Sequence, residues 1–362
     1  MKINKFALTA TAFLALTTAC TSGHDIVDNT VVEQTEQKDI PPIDEKARAL
    51  FDKCNNLNDR DACFYLGAAY YKGEGVRLDR SMSATYFEKA CSLGHSAGCY
   101  NLGYFYNEGQ GVRQDYQLAN HYYQKACDMN DSLACNNLGF LYDKGKGVNQ
   151  DYRQANKYYL KACELNDDMG CFNLGNLYNT GKGVKQDYRQ ANKYYLKACD
   201  MNHSSGCFNL GNSYNKGEGV KKDFKQSNKY YQKACDMNNR SGCYNLGKSY
   251  YKGEGVTKDY HQANQYFKKA CELGDSGGCN SLGFSYDKGR GARQDFQQAM
   301  NYYQKACDLK NGMGCSNIGA LYYNGEGVKQ NKNTSKWYYG KACDFGYQEG
   351  CDEYRKLNEK GY

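Results

Sequence analysis

Cys99-Tyr100-Asn101-Leu102-Gly103, then Tyr106, then Gly109-Gln110-Gly111-Val112, then Asp115, Ala119, Tyr122-Tyr123 and Lys125-Ala126-Cys127 is the stretch that decides the fold. Leu102 lies three residues after Cys99 and four before Tyr106, so the three share one face of a first helix. Gly109 and Gly111 supply backbone angles closed to other residues, and Asp115 is placed to cap a second helix. That helix ends at Cys127, and three residues later Asn130 is of the type that tolerates a left-handed helix terminus. The unit reads as a helical hairpin.

The same unit recurs along the chain. Cys91, Cys127, Cys163, Cys199, Cys235, Cys271, Cys307 and Cys343 stand 36 residues apart. Each has a partner eight residues later, at Cys99, Cys135, Cys171, Cys207, Cys243, Cys279, Cys315 and Cys351. Cys54 and Cys63 form an earlier pair one residue wider. The cap recurs as Asp79, Asp151, Asp187, Asp223, Asp259 and Asp295, with Asn331 in the last copy. The left-handed position is Gly94, Asn166, Asn202, Asn238, Gly274 or Gly346, with Lys310 as the exception. A fixed period in the thirties means stacked hairpins, each of which buries its apolar face on its neighbours. It overrides the two globular domains that 362 residues would otherwise suggest. The expected fold is all-α: an opening helix at about 44–54, eight hairpins from about 61 to 343, and a closing helix after Gly350. Residues 44–362 thus form one solenoid with partial capping helices at both ends.

Nineteen cysteines beside only two prolines describe a long helical chain from an oxidising compartment. In each pair the first cysteine ends one helix and the second begins the next, across a tight turn, which sets the two sulfurs side by side. Zinc is the competing reading, but zinc sites space their ligands more closely and usually recruit histidine. His24, His95, His121, His203 and His261 sit at scattered repeat positions, so the spacing favours disulfides, with no metal and no cofactor. The formal charge of +7 includes Lys2 and Lys5 of a leader, and is too weak a bias to argue for nucleic acid.

At the amino end, Lys2 and Lys5 precede an uncharged stretch of apolar residues, Ala and Thr over Phe6 to Ala19, the pattern of a secretory signal peptide. Leu16-Thr17-Thr18-Ala19-Cys20 resembles the lipobox of bacterial lipoproteins, with Thr17 where Leu is usual. That resemblance implies cleavage before Cys20 and acylation of it. Removing Cys20 from the count leaves eighteen cysteines that can pair completely. Thr21-Ser22-Gly23 lacks the Asp that marks inner-membrane retention in that family, so the resemblance points to the periplasm or the outer membrane. Without acylation the chain would be secreted. Residues 20–43 are polar, end in Pro41-Pro42-Ile43, and read as a flexible linker.

The pattern L-G-x-x-Y, G-x-G-V, D and A-x-x-Y-Y-x-K-A resembles the Sel-one-like repeat, a relative of the tetratricopeptide repeat, over nearly all of residues 44–351. Two features depart from it. The aromatic pair is mostly Tyr-Tyr, with Trp337 displaced by one position, and Cys follows Lys-Ala in every copy. The second departure is similar to the cysteine-rich Hcp proteins, a secreted branch also called Hcp beta-lactamases. The resemblance implies a right-handed superhelical solenoid whose first helices line the concave face, where asparagines of tetratricopeptide relatives hold peptides.

Three copies carry Ser-x-x-Lys, at Ser213 with Lys216, Ser249 with Lys252 and Ser285 with Lys288, an arrangement used by penicillin-recognising enzymes. Sister repeats hold Ala69, Phe105, Leu141, Leu177 and Leu321 at the serine position, and the companion motifs Ser-Asp-Asn and Lys-Thr-Gly are absent. The eight G-x-G loops follow no strand and read as turns rather than phosphate cradles. The tyrosines at 106, 142, 178, 214, 250, 286 and 322 read as core packing before they read as a ligand-stacking row. Asn101, Asn137, Asn173, Asn209, Asn245 and Asn317 form a second ladder, broken by Ser281; a carboxamide both donates and accepts, and suits an extended peptide backbone. The bland alternative is that each asparagine bonds within its own unit. The residue after Gly varies freely beside it, as Ala68, Tyr104, Phe140, Asn176, Asn212, Lys248, Phe284 and Ala320. The expectation is an exported binding scaffold for a protein, peptide or cell-envelope ligand, with contacts from the asparagines and from Tyr104, Phe140 and Lys248. It is not expected to bind nucleic acid, and it would meet a membrane only through its lipid anchor. The alternative is a penicillin-binding protein or weak beta-lactamase of the Hcp type, with no catalytic residue evident.

Overall fold

The computed structural model describes residues 43–362, and the signal peptide, Cys20 and linker expected from the sequence lie outside them. The described residues form eighteen helices and no strand. The opener is α1 (Glu45–Leu57). First helices are α2 (Arg60–Lys72), α4 (Ser96–Glu108), α6 (Ser132–Lys144), α8 (Asp168–Thr180), α10 (Ser204–Lys216), α12 (Arg240–Lys252), α14 (Ser276–Lys288) and α16 (Gly312–Asn324). Second helices are α3 (Arg80–Ser92), α5 (Tyr116–Asp128), α7 (Tyr152–Glu164), α9 (Tyr188–Asp200), α11 (Phe224–Asp236), α13 (Tyr260–Glu272), α15 (Phe296–Asp308) and α17 (Lys332–Asp344), and α18 (Gln348–Glu359) closes the row. Each helix packs mainly on the helix before and the helix after it, which makes a helical repeat solenoid.

Both ends of the helices are set by local chemistry. Asp115 accepts hydrogen bonds from the Gln117 and Leu118 amides, and the aspartates at the same place in the other repeats do likewise. First helices carry a cap of less uniform type: Asp59, His95, Asp131, Asp167, His203, Asn239, Asp275 and Asn311. His95 and His203 are therefore not scattered; they share one repeat position because an imidazole nitrogen can accept from the helix amide as a carboxylate does. The left-handed residue of each disulfide turn is also as expected, and Lys310 adopts it too, with φ 61°.

Nine disulfides join the cysteine pairs, from Cys54–Cys63 to Cys343–Cys351, and consume all eighteen cysteines of the described residues. Inside each hairpin the glycine after Leu lets the two helices meet. A β-carbon at Gly103, Gly139, Gly175 or Gly211 would lie 2.7 Å from the ring of Tyr123, Tyr159, Tyr195 or Tyr231 on the second helix. The second glycine of each loop does more than turn the chain. From Gly111 onward, its missing side chain leaves room for the start of the preceding second helix, at Arg80, Tyr116, Tyr152, Tyr188, Phe224, Tyr260 and Phe296 in turn. Each loop is thereby seated on its neighbour.

Candidate functional site

Beyond sequential neighbours, α6 meets α8 and α16 meets α18. The first helices carry the asparagine ladder. All six asparagines are half-buried. Their hydrogen bonds run between repeats rather than within one. Asn173 Nδ2 donates to Asn136 Oδ1 at 3.0 Å, and Asn317 Nδ2 to Asn280 Oδ1 at 2.9 Å, each one repeat back. Asn209 donates to Asn176 Oδ1 at 3.5 Å. Asn137, Asn209 and Asn245 also stand near the hydroxyls of Tyr123, Tyr195 and Tyr231 on the preceding second helix. Burial pushes the Tyr195 phenol up to about 12, and the Asn209 carboxamide offsets part of that rise. The carboxamides bolt one hairpin to the next, which corrects the alternative of a bond confined to one unit.

The variable position beside the ladder divides into two kinds. Asn176 and Asn212 are structural, since their Oδ1 atoms accept from the hydroxyls of Tyr195 and Tyr231 at 2.8 and 2.7 Å. Phe140 is 40% exposed, with the ammonium groups of Lys144 and Lys146 each 5.7 Å from its ring centre. Tyr104 is half-buried one repeat before it. Lys248 lies over the Tyr244 ring at 5.4 Å, and Phe284 lies under Arg290 at 5.2 Å. The fold brings Tyr104, Phe140 and Lys248 into one row at equivalent places on α4, α6 and α12. Such a row offers an aromatic face, a cation and carboxamide edges to a chain lying across the first helices.

The tyrosine ladder is part of the packing. Tyr106 stacks on Tyr122 with ring centres 5.7 Å apart, and the pairs from Tyr142–Tyr158 to Tyr322–Tyr338 repeat that contact. Ser213 and Ser249 are buried and donate back to the Asn209 and Asn245 carbonyls at 3.2 Å, while Ser285 is buried with its hydroxyl unpartnered. Lys216 and Lys252 reach out to Glu218 and Glu254, and Lys288 to Asp287. These serines and lysines thus have separate partners.

A second asparagine row escaped the sequence reading. Asn192, Asn228 and Asn264 on the second helices donate to the backbone carbonyls of Glu218, Glu254 and Arg290, in the glycine loop of the next repeat, at 2.7–2.8 Å. The available signal was Asn after a small residue in five successive copies, Asn120, Asn156, Asn192 and Asn264 after Ala and Asn228 after Ser227.

Against known proteins, the chain matches the Sel1 repeat in eight consecutive units that run without a gap from residue 60 to residue 347. No curated protein matches it. Among solved structures it is similar to c5321, a protective antigen of uropathogenic Escherichia coli strains displaying an SLR fold, at 29% identity and TM-score 0.79. That match covers 87% of this chain and 72% of the antigen. A Sel1 repeat protein from Oxalobacter formigenes shares the fold at 22% identity and TM-score 0.69, over 87% of this chain and 90% of that one. Helicobacter pylori cysteine rich protein B is 41% identical over 37% of this chain and 96% of its own, with TM-score 0.32. With every matched unit in register on one two-helix hairpin, and a disulfide joining each to the next, the chain belongs to the Sel1 repeat family.

Proposed function

We propose that this Sel1 repeat scaffold is exported, held at a membrane through an acylated Cys20, and captures a protein, peptide or cell-envelope ligand along its first helices. In this reading residues 1–19 are a removed leader, 20–43 a tether and 44–362 the binding solenoid. The disulfides support export, because such bonds persist in oxidising compartments. Among the described residues no helix is long and apolar enough to cross a membrane.

One observation carries the ligand reading. In a chain whose helices repeat almost residue for residue, the place after Gly changes identity, and at Phe140 it leaves an exposed aromatic ring flanked by two lysines. Neighbouring Tyr104 and the ladder carboxamides of Asn101, Asn137 and Asn173 extend that surface, and Lys248 and Asn245 continue it. Aromatic side chains that reach the surface are the usual anchors of an interface, and cations beside them add selectivity for charge. The test is capture from envelope extract by the oxidised protein, against the Tyr104→Ala/Phe140→Ala/Lys248→Ala variant. Loss of a specific bound species with unchanged thermal melting supports the reading, and unchanged capture by the triple variant refutes it.

A further inference from the structure

Because the helices of each hairpin are antiparallel, the glycine loops gather on one edge of the stack and the disulfide turns on the other. The two edges differ in charge. At the glycine-loop edge Arg113, Arg153, Lys185, Arg189, Lys221 and Lys225 are all exposed, and none forms an ion pair among the described residues. The capping acids beside them, Asp115, Asp151, Asp187 and Asp223, each accept two amides at the start of their own helix, so the helix termini offset those charges, and Glu218 and Glu254 of the same loops pair with Lys216 and Lys252. Aromatic residues stand in the same row. Tyr116, Tyr152 and Phe224 open the second helices half-buried, with Lys146, Lys182 and Lys222 over their rings at 5.0, 5.2 and 4.7 Å. Lys221, Lys222, Lys225 and Phe224 line a surface depression with Tyr214 and Gly255 at the middle of this edge. At the opposite edge the second helices end in exposed acids, Asp128, Glu164, Asp200 and Asp236. The described chain also enters the stack on the basic edge, since the Asp44 amide donates to the Gly75 carbonyl of the first glycine loop at 2.9 Å.

We infer that the basic glycine-loop edge docks on an anionic lipid surface. Phosphate headgroups would meet the unpaired cations, and the tyrosine and phenylalanine rings would sit at headgroup depth, where such residues concentrate. A line of cations spread over successive repeats suits a surface better than one compact ligand. The disulfides favour a membrane over nucleic acid as the polyanion met, because they place the chain in an exported compartment. The inference rests on export, and not on the first-helix ligand or on acylation.

The experiment uses the exported chain with Cys20→Ser, so that no acyl group contributes, and measures co-sedimentation with vesicles containing phosphatidylglycerol or with phosphatidylcholine alone. Binding to the anionic vesicles only, weakened by added salt, is expected. Lys221→Gln/Lys222→Gln/Lys225→Gln should weaken it about tenfold or more, since each cation near such a surface contributes appreciably. Lys268→Gln/Lys305→Gln/Lys310→Gln, which removes equal charge from the exposed opposite edge, should leave it intact. Equal binding to both vesicles, no binding to the anionic ones, or equal loss in the two triple variants overturns the inference. Preference for single-stranded DNA over the anionic vesicles at equal charge concentration overturns it as well. Circular dichroism of each variant confirms that the comparison is made between folded proteins.

Discussion

The two turns of every hairpin are held in different ways. The disulfide turn is closed by its own residues: two cysteines eight apart, and a left-handed position with open space around it at Gly94 and Gly346. That position accordingly accepts Gly, Asn and even Lys310. The glycine loop is closed by its neighbour. From Gly111 to Gly327 its second glycine is pressed on the preceding second helix, and its middle carbonyl is held by an asparagine of that helix in three copies. Both turns tie a unit to its neighbour but by different means: the disulfide joins successive units covalently, as Cys91 to Cys99, and the glycine loop rests on the preceding unit through packing and a hydrogen bond. This explains how one loop can be invariant in glycine while the other tolerates exchange.

The comparison breaks most visibly on reduction. Each ring of eight or nine residues contributes about 2–3 kcal/mol in the loop-entropy model, so reducing all nine disulfides should abolish cooperative melting by circular dichroism. A reduced protein that melts as before would mean that the turns are held by packing alone. A sharper contrast comes from single glycines. Gly219→Asn should cost about 2 kcal/mol or more in chemical denaturation, because its β-carbon meets the Tyr188 backbone. Gly94→Asn, at the type of position that sister repeats fill with Asn, should change stability by less than about 0.5 kcal/mol.

A smaller effect belongs to the histidine caps. Burial lowers both His95 and His203 from their ordinary value of 6.5, so the unfolded chain takes up protons first as the pH falls. Their contribution is complete above about pH 6.5 and is lost as the pH drops through the lowered native values. The melting temperature should decline over that interval, and His95→Asn/His203→Asn should flatten the decline, since Asn239 and Asn311 cap the same position without titrating. The smallest effect expected is none: a chromogenic cephalosporin should be hydrolysed no differently by Ser213→Ala/Ser249→Ala/Ser285→Ala, because two of these hydroxyls bond their own helix and all three are buried. Turnover that disappears in that variant would make the protein an enzyme.

The hairpins, their aspartate caps and the cysteine pairs were legible because each is a local device repeated at one spacing. What escaped the sequence depends on a neighbour. The seating of Gly111 on Arg80, or of Asn192 on the Glu218 carbonyl, joins residues about thirty apart whose contact exists only after stacking. The first-helix caps escaped for another reason: Asp, Asn and His all present an acceptor at the same point, so function was conserved while identity was not. The asparagine ladder was visible as a row, but its bonds to the Asn136, Asn176 and Asn280 carboxamides of the preceding repeat were not. Those bonds imply that Asn173→Ala/Asn209→Ala/Asn245→Ala loses stability as well as any ligand contact, about 1 kcal/mol for each neutral hydrogen bond. Phe140, exposed and outside those bonds, therefore tests binding more cleanly.

The most direct test of the binding account is site-specific photocrosslinking with the oxidised protein in its envelope. A photoreactive side chain at Phe140, on the first-helix row, should give a discrete adduct, and one at exposed Lys157 on the second helix α7 should not. Adducts of equal yield from both positions, or from position 157 alone, would contradict it.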